Sequence, residues 1–141
     1  NKLYSDLFYR KLNELLSADG VITVQSTSPY HAQKAFMSVG KTLTAAGFDV
    51  KQYHHNVPSF GEWGWSIGSK MGKNPQQRLA AIDEIPVPEE WLTPGLIHAS
   101  FEFPKHFYSD IDNIKVNEIG SLQLYHYHLA AWSENEVINL F

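Results

Sequence analysis

The chain has 141 residues, of which 43% are hydrophobic and 18% charged, and it contains no cysteine. That length is one domain's worth, able to bury roughly 68–70% of its unfolded surface, and the lack of cysteine excludes a disulfide framework or a thiolate metal site. A net charge of −4 with 11 Lys and Arg leaves no basic footprint for a phosphate backbone, so nucleic acid is not an expected partner; a mild negative balance suits a cationic ligand instead.

Leu3, Leu7, Phe8, Leu12, Leu15 and Leu16 recur at spacings of three and four. They predict a helix with one apolar stripe, ending near Ser17-Ala18 at the stop Asp19-Gly20. Val21 to Val24 follows as a short β-branched run without strict alternation, the pattern of a strand covered on both faces. Ser28-Pro29 then reads as N-cap and first residue of a second helix, carried by Ala32, Ala35, Phe36, Val39, Leu43 and Ala46 and closed by Gly47. Phe48 to Val57 and Trp63 to Ser69 carry β-formers on either side of the turn residues Pro58 to Glu62. A link this short cannot make a parallel crossover, so the two strands are antiparallel. Beyond Lys70, Asn74-Pro75 and Thr93-Pro94 each read as an N-cap followed by a first helical residue, and Ile85-Pro86-Val87-Pro88 as an extended linker. The expected fold class is therefore α/β, the closing half of a doubly wound sheet with one antiparallel strand, followed by short carboxy-terminal helices. Residues 1–70 would form the sheet half and 71–141 a helical extension packed on it as one compact unit.

Gln25 falls at the carboxyl end of a strand, where open α/β sheets bind ligands. By position alone it is equally a polar residue satisfying nearby backbone. Ser26, Thr27 and Ser28 fit capping and turn roles better than nucleophilic ones, since no triad signature accompanies them. Trp63 and Trp65 share a strand face and read as packing residues. Of the seven histidines, His54 and His55 point to opposite strand faces, and no His-Glu-x-x-His or similar spacing is present, so no metal site is expected. Gly61, Gly64 and Gly68 lack the strand–loop–helix context of a phosphate cradle and instead suit close backbone approach or a bulge.

Val21-Ile22-Thr23-Val24-Gln25-Ser26-Thr27-Ser28-Pro29-Tyr30, together with Val57-Pro58-Ser59-Phe60-Gly61-Glu62-Trp63-Gly64-Trp65 and the lead-in Leu3-Tyr4-Ser5-Asp6-Leu7-Phe8-Tyr9, resembles the second half of the catalytic domain of polyamine aminopropyltransferases, the spermidine synthase family. More weakly, Trp91 to Phe101 resembles that family's carboxy-terminal helices. The resemblance implies a Rossmann-like sheet of the S-adenosylmethionine-methyltransferase type, and a parent enzyme that moves an aminopropyl group from decarboxylated S-adenosylmethionine to a diamine such as putrescine. It also implies that Gln25 lines the polyamine pocket and that the 58–61 loop, Ser59 and Phe60 included, contacts the amine. Many family members carry a Tyr where Phe60 stands; Phe60 can wall an alkyl chain but cannot hydrogen-bond, which leaves a water or another Tyr such as Tyr30 to compensate.

In the family the glycine-rich cofactor loop, the acidic ribose ligand and the catalytic Asp precede the residues corresponding to Asn1. The expectation is thus that the 141 residues alone hold no catalytic residue and no cofactor site and are inactive. The wording of the two motifs is similar to longer bacterial members with membrane-spanning helices ahead of the catalytic domain, which implies a cytoplasmic location here and attachment of the parent to the bacterial inner membrane through segments outside this chain. A strand 21–26 lacking its neighbour is expected to self-associate into a homo-oligomer. Two other readings compete: a fragment of an S-adenosylmethionine methyltransferase, against which the Pro-Ser-Phe-Gly-Glu-Trp-Gly loop argues, and a non-catalytic dimerisation module.

Overall fold

The computed structural model describes residues 2–135. A 3-10 turn, Lys2–Tyr4, leads into helix α1, Asp6–Leu15, whose N-cap Ser5 accepts a hydrogen bond from the Phe8 N–H. Strand β1 is Val21–Gln25, helix α2 is Gln33–Ala45, and strands β2 and β3 are Phe48–Val57 and Gly61–Lys70. The sheet order is β1-β3-β2, with β3 antiparallel to both neighbours. β1 and β2 therefore run parallel to each other, the relation that the α2 crossover imposes, and β3 folds back between them.

Two cores flank α2. On one side Tyr9, Val39, Leu43, Ala46 and Phe48 pack with Leu12, Ile22 and Val24. On the other, Phe36 and Met37 pack against Phe107 and Ile114 of the carboxy-terminal segment. That segment holds helices α3, Pro75–Ala80, α4, Pro94–Ala99, and α5, Gln123–Asn135, with a 3-10 turn at Ile111–Asn113. Asn74 and Thr93 cap α3 and α4 as their sequence context predicts, each side chain accepting from a backbone N–H three residues on. Lys41 Nζ ties the segment to α2 by donating to the carbonyls of Ile111, Asp112 and Ile114. The part of the tail from residue 136 onward lies outside the described residues. Among those described, no helix is long and apolar enough to cross a membrane.

Two expectations are corrected. α2 begins at Gln33, four residues later than Ser28-Pro29 predicts, with Ala32 as an N-cap that makes no side-chain bond. Ser28 and Pro29 form an isolated turn instead: Ser28 Oγ accepts from the His31 N–H at 3.3 Å, and the Ser28 carbonyl accepts from the Ala32 N–H at 3.0 Å. Strand β1 is covered on one face only. Ile22 and Val24 pack toward the α2 core, while Val21, Thr23 and Gln25 are exposed. β1 is an edge strand here, and β3 is the central one.

Candidate functional site

Alternation along the strands assigns each side chain to a face. Gln25 is paired with Trp65, so Gln25 and Trp65 share the face turned away from α2, and Trp63 lies on that face two residues nearer the β2–β3 hairpin. Ser26, Gly64 and Ser66 occupy the α2 face; Ser26 Oγ donates to the Val24 carbonyl and meets Ser66 Oγ at 2.8 Å.

Beyond Gln25 the chain continues the ladder for one further turn of backbone. Ser26 N–H donates to the Gly64 carbonyl and Gly64 N–H donates to the Thr27 carbonyl, both at 2.8 Å. This approach is possible because position 64 has no side chain: a Cβ there would sit 2.4 Å from the Phe36 ring and 2.9 Å from the Thr27 oxygen. Close approach, the role expected for these glycines, is thus met at Gly64. Thr27 takes a left-handed conformation, φ +62°, uncommon for a β-branched residue, and its Oγ1 is buried without a hydrogen-bond partner.

At this carboxyl end of β1 lies a cavity of about 360 Å³ lined by Gln25, Ser26 and Thr27, by Ala35 and Val39 of α2, by Trp63, by Tyr4, and by Leu124, Tyr125 and His128 of α5. Tyr4 donates its hydroxyl hydrogen to the Gln25 carbonyl at 3.3 Å. The lining combines apolar side chains with hydrogen-bonding groups and three large aromatic rings, and it includes no Lys or Arg. Such a surface accommodates an alkyl chain with a polar or cationic end, because ring faces attract cations and the lining holds neither Lys nor Arg.

The four residues singled out from the sequence are distributed over one end of the sheet. Gln25 lines the cavity. Phe60, 68% exposed at the hairpin, rests its ring on Trp63 with centroids 5.6 Å apart. Ser59 is exposed in the same turn. Tyr30 stands apart, edge-on to His54 at 5.8 Å and to Phe107 at 5.9 Å, and beside a smaller cavity lined by His31, Gln33, Lys34 and Tyr127. Burial, and secondarily the Glu62 carboxylate, raise the Tyr30 pKa above its ordinary value.

Trp63 is the residue that sequence reasoning placed elsewhere. Trp65 is a packing residue as expected, stacked on Tyr53 at 5.5 Å and lining a separate apolar cavity with Leu96, Ile97 and Phe101. Trp63, on the same face, lines the Gln25 cavity and links it to Phe60. No signal in the sequence separated Trp63 from Trp65, which alternation puts on the same face. Tyr125 and His128 arrive from α5, a hundred residues along the chain, with no signal near Gln25.

His54 and Glu62 form a further cluster. His54 Nδ1 is 2.6 Å from Glu62 Oε2 and Nε2 is 2.6 Å from the Glu102 carbonyl, while the ring lies against Phe103 at 4.6 Å. His55 points the other way and accepts from Trp91 Nε1–H at 3.2 Å. Among the described residues no group of three His, Cys, Asp or Glu is placed to hold a metal ion.

An α/β sheet with an antiparallel strand inserted before its last strand, carrying a ligand-sized cavity at the carboxyl end of β1, defines a Rossmann-like domain of the methyltransferase type. The family model for the spermine/spermidine synthase domain matches residues 1–80, and the chain belongs to that family. It is 68% identical over all 141 residues to a polyamine aminopropyltransferase of Shewanella oneidensis, covering 25% of that protein. It is 44% identical over 131 residues to polyamine aminopropyltransferase 2 of Ralstonia nicotianae, covering 93% of this chain and 24% of that one. The chain spans about a quarter of the length of these curated relatives. In fold it matches a crystal structure of spermidine synthase in complex with the transition state analogue AdoDATO, with a TM-score of 0.60 at 16% identity, over 80% of this chain and 41% of that one. The spermidine synthase of Thermotoga maritima gives 0.59 at 16% identity, over 79% and 39%.

Proposed function

We propose that the protein carrying this chain is a spermidine synthase-like aminopropyltransferase, and that the 141 residues supply the amine-binding side of its active site. The observation that carries this reading is the cavity at the carboxyl end of β1, where Gln25 sits among aromatic walls without Lys or Arg. In the reaction the amine nitrogen of a diamine attacks the carbon bonded to the sulfonium of decarboxylated S-adenosylmethionine. A C–N bond forms, the C–S bond breaks, and the thioether leaves. The amine proton passes to a carboxylate base, which this reading places in the part of the enzyme ahead of Asn1 together with the nucleoside site.

Such a displacement depends chiefly on holding nitrogen and carbon in line with the amine unprotonated. Gln25 can orient one end of the amine by hydrogen bonding, and Trp63, braced by Phe60, can pack along its methylenes. Ser59, in the same turn as Phe60, belongs to the surface over which the amine enters, while Tyr30 stands by its own smaller cavity. On this reading the segment works in the cytoplasm, any membrane attachment comes from parts outside this chain, and β1 is the edge through which the 141 residues associate when expressed alone.

The test is direct. The protein as encoded from its own start codon is incubated with decarboxylated S-adenosylmethionine and putrescine, and spermidine is measured. Its formation supports the reading; failure to form any aminopropylated amine from a panel of diamines overturns it.

A further inference from the structure

We infer that helix α5 is part of the amine site and that Asn117 is the positioning residue that holds it there. The family model matches residues 1–80, so α5, Gln123–Asn135, lies beyond it, yet Leu124, Tyr125 and His128 of α5 line the same cavity as Gln25. α5 is seated by other contacts: Leu124 meets the core around Tyr9 and Leu43, and Tyr127 the one around Phe36 and Phe107. Tyr125 is 53% exposed and belongs to neither core. Its ring is a wall of the cavity rather than a filler of the interior, and a ring face can hold the cationic end of an amine.

One buried side chain ties this wall to the others. Asn117 is 1% exposed, and each of its polar atoms is hydrogen-bonded. Its Oδ1 accepts from the Leu124 N–H at 3.1 Å and from the Ser121 hydroxyl at 3.3 Å, and its Nδ2 donates to the Tyr4 carbonyl at 3.0 Å. Its backbone N–H donates to Thr42 Oγ1 at 2.9 Å, and its carbonyl accepts from the Asp6 N–H at 3.2 Å. The Leu124 N–H lies in the first turn of α5, whose donors have no partner within the helix, and Asn117 supplies one. The elements joined in this way are the ones that wall the cavity: Tyr4, the α2 of Ala35, Val39 and Thr42, and α5. A fully satisfied buried network of this kind fixes one arrangement, where apolar contact alone permits slippage. Removing the amide releases Tyr4 and the start of α5 together, and with them two of the aromatic rings of the lining.

The inference rests on the aminopropyl-transfer reading, and its test separates the two. With the protein as encoded from its own start codon, kcat and KM are measured for 1,4-diaminobutane, and KM for decarboxylated S-adenosylmethionine, in wild type, Tyr125→Ala, Asn117→Ala and the double variant. Thermal unfolding reports which variants fold. One ring contact to a cation is worth about threefold or more in binding. Tyr125→Ala and Asn117→Ala should each raise KM for the diamine by at least about threefold, with KM for the nucleoside co-substrate within about twofold of wild type. The double variant should match Asn117→Ala within about twofold, because Asn117 acts through α5. A purely structural Asn117 would lower the unfolding temperature and the active fraction, and hence kcat, and leave the diamine KM where it was; that result overturns the inference. If Asn117→Ala does not fold, Tyr125→Ala decides, its side chain being half exposed: a diamine KM within about twofold of wild type overturns the inference. If wild type transfers to no amine at all, the aminopropyl-transfer reading fails, and the inference with it.

Discussion

Gly64 and Thr27 are joined by a 2.8 Å hydrogen bond from the Gly64 N–H to the Thr27 carbonyl, and each residue is in a state that only the other makes sense of. Thr27 holds a left-handed backbone to aim that carbonyl, and Gly64 omits a side chain so that it can be reached. Adding even one methyl at position 64 should be costly. The nearest obstacle is the fully buried Phe36 ring, which has no space to retreat into. Gly64→Ala is expected to destabilise by about 1–3 kcal/mol, read from urea or thermal unfolding. A change below about 0.5 kcal/mol would mean the loop can lift off the sheet at little cost.

Thr27→Gly tests the other partner. A non-glycine residue in the left-handed region costs about 1–2 kcal/mol, and glycine's greater freedom in the unfolded chain returns about 0.5–1 kcal/mol of that. The substitution also removes a buried hydroxyl that has no partner. Stability should therefore hold or rise slightly; a loss of more than about 1 kcal/mol would show that the threonine side chain makes a contact of value.

Tyr9 is 1% exposed and its hydroxyl has no hydrogen-bond partner; burial pushes its pKa far above the ordinary value of 10. The folded protein keeps this proton at a pH where the unfolded chain has lost it. Above pH 10 the unfolded state then binds fewer protons, and stability falls as pH rises, by up to about 1.4 kcal/mol per pH unit for one phenol. Tyr9→Phe removes both the unmet hydroxyl and the proton. At neutral pH the variant should be at least as stable as wild type, and between pH 10 and 11 its advantage should widen. Parallel curves for the two proteins across that range would contradict this.

Gln25→Ala should raise KM for the diamine about tenfold in the aminopropyl-transfer assay, the scale of one hydrogen bond to a charged partner, while leaving KM for the nucleoside co-substrate within about twofold. Equal losses for both substrates would assign Gln25 to the scaffold.

The outer edge of β1 pairs with no strand among the described residues, and Val21 at its start is 49% exposed. The 141-residue chain is expected to self-associate there, and Val21→Lys to weaken the association, because a charge on an edge strand opposes pairing. Light scattering over a concentration series measures both; a wild-type chain that stays monomeric at the highest concentration rules the edge out.

The hairpin was readable because β-formers flanked a turn too short for anything but reversal. The start of α2 differs from the expected one because Ser28-Pro29 is a good opening for any turn, and the five-residue turn it opens, Ser28 to Ala32, uses the same chemistry as a helix N-terminus. β1 looked buried on both faces because Val21 and Thr23 are as β-branched as Ile22 and Val24; composition cannot say which face is left bare. Gln25 lines the cavity at a strand end, but its position alone suited backbone satisfaction equally, and only the family resemblance pointed to a pocket. Trp63 was not legible, because alternation assigns a side chain to a face but not to what covers that face. Over Trp65 the cover is Phe101 and α4, and at Trp63 it is a cavity closed by α5.

The central place of β3 also governs how this chain must assemble. Val21 pairs with Ser69 and Phe48 with Lys70, so neither β1 nor β2 can take its place beside β3 on the ribosome until β3, the last of these three strands in the chain, has emerged. The hairpin of β2 and β3 closes locally and can form in microseconds, whereas β1 must wait through α2 and both later strands before docking. Through that interval α1 and α2, whose residues pack with Ile22 and Val24 in the folded core, are already available to cover them, which gives the amphipathic α1 a part in the nascent chain as well as in the finished one.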